Sequence, residues 1–527
     1  MPELLFEVYS EEIPSEMQEY GAEKFYSMVK ARLRDLFDQE FDGKYFFTPR
    51  RVGFYIENIP KILNEKTEKI RGPKFTASEQ AINGFLRKYN IKDVSKLTKE
   101  GEYYYYINKL EEKNSNKSLK TILEEVLSIF QWSKSMKWGD YQIRWIRPIH
   151  SILCVYDNEV IPVEYGHIKA SNVTTGCWMI DDKDIKVHSF REYKTQLEEA
   201  KVYVFQEQRL QSIREQVQEI CKRLNVQMID DQELLKEVAN LIEFPYAAVG
   251  EINKRFMTLP KEALVATLKF HQKYLMTDYA DKKLAPYFII VSNIMTRDNL
   301  KTVVAGNEKV LKARLADTEF FYNQDINTRL IDKFSKLKKV TFHHDVGSYY
   351  DKIQMVKEVA INLARQLKVD ERIVKNTVLL IKADLVTEMV KELPELQGIA
   401  GYYYALKDGE SQEVANAIKE HYLPQGPSDP VPSSYLSIIM ALSDKIVTLN
   451  AMFNIGIKPT GSKDPFALRR TAIGIIRIIC TNKLKLKLHD LLEKKVMEFI
   501  LDRVKIMDSE QGNIYSIDLK YIHEFRD

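Results

Sequence analysis

Leu436 to Phe453 restricts what this chain can become more than any other stretch, because it is apolar on nearly every face of a helix. Such a helix has to be buried on most sides, so other helices must surround it. The preceding segments supply them. Ile353, Val356 and Ala360 recur at helical spacing between Ser348 and Leu367, and Leu379, Ala383, Val386 and Val390 form a second stripe. Pro394, the Gly398/Gly401 pair and the Pro424 to Pro432 stretch separate these helices. Residues 331–480 are therefore expected to form an all-α domain. Upstream the pattern differs. Strands are expected at Leu4–Tyr9, Tyr45–Phe47, Val52–Ile56 and Tyr103–Leu110, alternating with helices that end near Asp38 or span Ala77–Tyr89 and Ser118–Phe130. That alternation makes 1–330 a mixed α/β region and the fold class multidomain α+β. In the tail, 481–527, one helix is expected over Leu491–Met507.

The totals exclude several classes. A hydrophobic content of 45% and a charged content of 29% over 527 residues fit a soluble protein with several cores. The net charge of +3, from 78 basic and 75 acidic groups, leaves no global basic field, so a nucleic-acid surface must be a local patch. Cys154, Cys177, Cys221 and Cys480 form no C-x-x-C, which argues against zinc ribbons and disulfide scaffolds. The N-terminus lacks a basic signal-peptide start, and no stretch reaches the roughly 18 apolar residues of a membrane span. A cytoplasmic protein without a membrane partner is expected.

The turn Gly456–Arg470 gathers Lys458, Lys463, Arg469 and Arg470, with Arg477 further on, against a single Asp464. A cationic loop feeding a helix N-terminus is a natural cradle for phosphate. It is not a P-loop: Ser462 separates Gly461 from Lys463, and the preceding segment reads as a helix where a strand is needed. Arg50, Arg51, Arg71 and Lys74 mark two further basic turns, the second opened by Gly72-Pro73.

Asp444 lies inside the apolar helix, and Asp384 inside Leu379–Leu385. Buried carboxylates are costly unless paired or liganded. Together with His344, in His343-His344-Asp345, they follow the layout of HD-domain phosphohydrolases, whose metals sit between helices. Ala383 stands where that site needs its imidazole, so the expectation is an HD-like scaffold with a degenerate site, its acids in salt bridges or caps and no metal. A metal-dependent HD-type phosphohydrolase acting on a nucleotide or RNA is the alternative. Asn307 is the expected N-cap of a helix over 305–322, with Glu308 and Lys312 spaced as a pair and Lys309, Lys312 and Arg314 on a solvated face. His271 reads as structural, and no Ser or Cys nucleophile is tied to it by spacing.

Leu4-Leu-Phe-Glu-Val-Tyr-Ser-Glu-Glu-Ile-Pro14, Thr48-Pro-Arg-Arg51, Arg71-Gly-Pro-Lys74, Arg147-Pro-Ile-His150, His271-Gln-Lys-Tyr274, Lys382-Ala-Asp-Leu385, Glu395-Leu-Gln-Gly398 and Gly461 to Arg470 occur in one order along the chain. In that order they resemble the beta subunit of the bacterial heterotetrameric (alpha2 beta2) glycyl-tRNA synthetase. The resemblance implies a non-catalytic but required subunit that binds tRNA(Gly) beside an alpha subunit, where ATP with Mg2+ and glycine react. It implies no catalytic residue and no cofactor on this chain. It further implies an editing-type domain, similar to that of phenylalanyl-tRNA synthetase beta chains, within the α/β region, then the HD-like domain and a helical anticodon-binding domain. Most of that last domain is expected to be missing by Asp527. Lys458, Lys463, Arg469, Arg470, Arg50, Arg51, Arg71 and Lys74 are the expected tRNA contacts. Thr174-Thr-Gly-Cys-Trp178 departs from the family's usual Gly-His-Arg, and Ile399-Ala400 lacks its usual Met.

Overall fold

The computed structural model describes residues 2–61, 67–109, 115–180, 183–461 and 463–510. The chain divides into two compact units. The first comprises Met1–Gly250, Lys273–Ala285 and Ile289–Val304, and the second Glu251–Gln272, Pro286–Phe288 and Ala305–Asp527. The helical unit thus takes in residues 305–330, which the sequence pattern assigns to the α/β region.

The first unit is built on an antiparallel sheet ordered Gly43–Phe47, Arg51–Ile56, Leu4–Ser10, Ile149–Tyr156, Glu159–Val160. All seven residues of its central strand are buried, because each face of the sheet is covered. Leu4, Phe6 and Val8 enter one core with Phe25 and Val29 of the helix Ser15–Phe37 and Leu123 and Val126 of the helix Ser115–Ile129. Leu5, one residue out of phase, enters a second core with Phe46, Leu153 and Tyr193. Glu7 shares the phase of Leu5. A second, three-stranded sheet runs Thr67–Lys74, Tyr103–Lys109, Leu97–Glu100. Arg71 to Lys74, expected as a turn, ends the first of these strands with an irregularity in its pairing.

The second unit is one core around the helix Tyr435–Asn454, packed against Tyr349–Leu367, Gln412–Glu420 and Leu468–Thr481. Against the expectation that no stretch is apolar enough for a membrane span, the central helix passes by length and composition, yet 89% of that window is buried inside the protein. The second apolar stripe does not form one helix. Glu371–Leu380 ends, a 3-10 turn covers Ala383–Val386, and Glu388–Glu392 restarts the chain. Local capping decides this: the Thr387 hydroxyl donates to the Asp384 carbonyl at 2.6 Å and accepts from the Val390 N–H at 3.3 Å. Asn307 is no cap, because its helix starts earlier, at Lys301, where Asp298 accepts the Thr302 N–H at 2.7 Å. Of the tail, Lys494–Glu510 is a helix, and the expected start of an anticodon-binding domain beyond 510 lies outside the described residues.

Candidate nucleic-acid interface

The helix N-terminus after Gly456–Arg470 is already occupied. Both carboxylate oxygens of Asp464 accept from it, the Leu468 N–H at 2.8 Å and the Arg469 N–H at 2.9 Å. The chain's own acid therefore takes the place a phosphate would have used. What remains for a polyanion is the side chains. Lys458, Lys463 and Arg470 are exposed and Arg469 is half-buried. Arg477 is spent inside, donating to the Gly426 and Asp429 carbonyls at 2.8 and 2.6 Å. Phe466 of the same loop packs against His343 with ring centroids 5.6 Å apart, which brings the exposed His344 turn beside the cationic loop. Asp464→Ala is expected to cost the helical unit roughly 0.5–2 kcal/mol through loss of the cap. A thermal melt followed by circular dichroism checks this, and an unmoved midpoint would mean that Asp464 does not cap the helix.

Arg469 and Arg470 leave the buried acids to others. Asp444 lies 2.7 Å from Lys352 Nζ and 3.2 Å from Lys382 Nζ, with all three side chains nearly sealed from water. Burial alone would raise its pKa, but the two ammonium groups outweigh burial and hold it well below the usual carboxylate range. Asp384 Oδ2 accepts the Gly398 and Gly401 N–H groups at 2.5 and 3.2 Å, capping the helix Ile399–Lys407. The glycine pair is required there. Gly398 has φ +81°, and a Cβ on Gly401 would meet Ile418 at 2.7 Å and Asp384 Oδ2 at 3.2 Å.

A metal does not fit this arrangement. Among the described residues, one group of three His, Cys, Asp or Glu side chains has ligand atoms within 4.8 Å of one another: His343, His344 and Asp345. Neither Asp384 nor Asp444 belongs to it, and a cation at Asp444 would have to displace two lysines. His344 itself points to solvent beside Asp345, at 3.0 Å.

The arginine pair of the first unit divides. Arg51 is completely buried, with Nε 3.2 Å from Glu7 and ion-paired through Nη1 to Glu243. Its Nη2 donates to the carbonyls of Thr175 and Gly176. Glu243 also accepts from Thr48 Oγ1 at 2.7 Å, and Glu7 from Thr174 Oγ1 at 2.6 Å and from Tyr193. No surface of Arg51 is left for RNA, so it drops out of the expected contacts. Arg50 is 8% exposed and lies between the Tyr9 and Trp178 rings, with Glu11 at 3.2 Å. The departure at Thr174–Trp178 thus serves as the lid of this network: Cys177 is buried and Trp178 covers Arg50. Arg71 and Lys74 stay exposed on the small sheet.

The family model described as "Glycyl-tRNA synthetase beta subunit" matches residues 4–519. The chain belongs to the glycyl-tRNA synthetase beta subunit family. Curated relatives named glycine–tRNA ligase beta subunit include those of Rickettsia canadensis, 42% identical over 93% of this chain and 73% of that protein, and Rickettsia bellii, 41% identical over 96% and 76%. The protein of Phenylobacterium zucineum is 38% identical over 98% of this chain and 78% of its own length. Among solved structures, the HD domain of the L. monocytogenes phosphodiesterase PgpH in complex with cyclic-di-AMP aligns at 12% identity and a TM-score of 0.20. That alignment covers 35% of this chain and 97% of the other.

For this beta subunit family member, the sequence reading missed Lys352 and Lys382 as the partners of Asp444. Their signal was present: each is a lysine set among apolar core residues, Lys352 next to Ile353 and Lys382 next to Ala383. It also passed over Lys336, Lys338 and Lys339, exposed just ahead of the strand Thr341–His343 that leads into the His344 turn.

Proposed function

We propose that this chain is the RNA-holding subunit of a glycine–tRNA ligase. It binds tRNA(Gly) at cations of its surface while an alpha subunit consumes ATP, with Mg2+, and glycine. The family match across nearly the whole chain carries the reading. The chemistry of the described residues supports it, since the buried acids are engaged by lysines and backbone amides and are not poised to react. Phosphate contacts supply affinity and register in such a division of labour, and the reaction runs in the partner's pocket. We read the helical unit as an HD-like scaffold with a degenerate metal site, and the first unit as containing the editing-type domain. The contact set on this reading is Lys458, Lys463, Arg469 and Arg470 beside the His344 turn, with Arg71 and Lys74 on the small sheet. The protein acts in the cytoplasm and itself holds no cofactor. The phosphohydrolase alternative is disfavoured by the two lysines on Asp444.

Glycylation of tRNA by the alpha subunit alone, by this chain alone and by both tests the proposal. Only the mixture should charge, and full-rate charging by the alpha subunit alone would refute it. In the mixture, Lys458→Glu, Lys463→Glu and Arg470→Glu together should lower kcat/KM for tRNA by about 100-fold. They should also flatten the salt dependence of tRNA binding by roughly two to three in log–log slope. Glycine-dependent pyrophosphate exchange should not change. An unaltered slope would move the interface elsewhere.

A further inference from the structure

Among the described residues, the three-stranded sheet of residues 67–109 has one covered face and one open face. The helix Glu79–Lys88 closes the first through Leu86, which packs with Ile91, Leu97 and Tyr104. Strand alternation then turns Tyr103, Tyr105 and Ile107 to the other side. The register sets Arg71 opposite Tyr105 and Lys69 opposite Ile107. Ile107 is 40% exposed, and Tyr103 and Tyr105 are half-buried. Cations lie directly on the rings, the Arg71 guanidinium 3.6 Å from the Tyr103 centroid and the Lys69 ammonium 4.8 Å from that of Tyr105. Lys69 and Lys74 are also ion-paired, to Glu100 and Glu102. Even so, residues 67–109 hold nine basic against five acidic side chains, a larger excess than the +3 of the entire chain.

Aromatic rings alternating with cations across a sheet face are suited to one class of polyanion. Unpaired bases present flat faces that stack on tyrosine rings or on a guanidinium plane, and the phosphates between them fall to lysines at the edges. A duplex hides its base faces and leaves the rings without a partner. We propose that this open face, centred on Tyr103, Tyr105 and Arg71, binds a single-stranded stretch of RNA, with Lys69 and Lys74 on its phosphates. This rests on the tRNA-binding reading above and extends it from backbone contacts to unpaired nucleotides.

The test uses the full chain and a labelled, unstructured oligoadenylate of about ten nucleotides carrying 2-aminopurine, with a fully paired, blunt-ended RNA duplex as control. Tyr103→Ala with Tyr105→Ala should weaken oligonucleotide binding by about 10- to 100-fold and abolish the fluorescence quenching that marks stacking. Tyr103→Phe with Tyr105→Phe keeps the rings and should bind within about twofold of the parent. Duplex binding should barely respond to either pair. An oligonucleotide that does not bind the parent chain, or binds the Ala pair equally well, overturns the proposal. Charging by the mixture with the alpha subunit separates the two levels. Intact charging without oligonucleotide binding removes this site and leaves the function standing, whereas a parent mixture that fails to charge removes the function itself.

Discussion

Asp444→Asn is expected to destabilise the helical unit by about 3–5 kcal/mol. The substitution keeps the shape of the side chain and removes the carboxylate that, among the described residues, is ion-paired to both Lys352 and Lys382. Two ammonium groups would then lie buried and unpaired, and burying an uncompensated charge costs far more than the net value of the original ion pair. The loss is a large part of the roughly 5–15 kcal/mol available to a domain. The effect can be read separately from the first unit. All four tryptophans, Trp132, Trp138, Trp145 and Trp178, belong to that unit, so tryptophan fluorescence reports on it while circular dichroism at helical wavelengths also follows the helical unit. Asp444→Asn should lower the dichroism midpoint in urea and leave the fluorescence midpoint in place. Replacing Lys352, Lys382 and Asp444 together by Met, Met and Leu should recover most of the loss. A single-variant cost below about 1 kcal/mol would show that the lysines are solvated or paired elsewhere.

The two buried aspartates respond to pH with opposite signs. Asp444 has a depressed pKa, so its contribution is fully present above the ordinary aspartate value of 3.8 and is lost only in stronger acid. For Asp384, burial raises the pKa to about 6 against the pull of the Gly398 and Gly401 amides. Its stabilising contribution is fully present below 3.8 and is lost as pH rises through about 6. Asp384→Asn should therefore remove a fall in stability between pH 4 and 6.

Arg51→Met is expected to have a comparable effect on the first unit, about 3–5 kcal/mol. Burial opposes the Arg51 charge, but Glu243 and Glu7 outweigh it. Without the guanidinium, two carboxylates stay buried and two carbonyls, those of Thr175 and Gly176, lose their donor. The segment carrying Cys177 and Trp178 should loosen, with two readouts: a lower urea midpoint in tryptophan fluorescence, and labelling of the Cys177 thiol, fully buried in the parent, by a thiol reagent. Glu243→Gln removes one of the two acids and should cost less. If Arg51→Met instead left stability unchanged and weakened tRNA binding, Arg51 would be an RNA contact in the working state.

Much of this was legible in the chain. The apolar run at Leu436–Phe453 requires a buried central helix, and the short, nearly continuous apolar run at Leu4–Tyr9 fits a strand buried on both faces. The ordered motifs from Leu4 to Arg470 identify the family, because their common order is far more specific than any single one. The acids set in apolar runs, Asp384 and Asp444, announce that each needs a partner. What the sequence left open is which partner. Arg50 and Arg51 are adjacent and chemically alike and both are buried, yet Arg51 is sealed against Glu7 and Glu243 while Arg50 packs between Tyr9 and Trp178 beside Glu11, so neither stays free as an expected RNA contact. Asp464 reads equally well as a lone acid among cations, until the turn folds it onto the Leu468 and Arg469 amides and fills the anion cradle. Local periodicity follows from bond geometry and solvent preference, which act over a few residues, so the sequence determined the elements and the family. Charge pairing acts through space between residues far apart in the chain. Only the tertiary structure could decide which cations are consumed in the core and which remain for RNA.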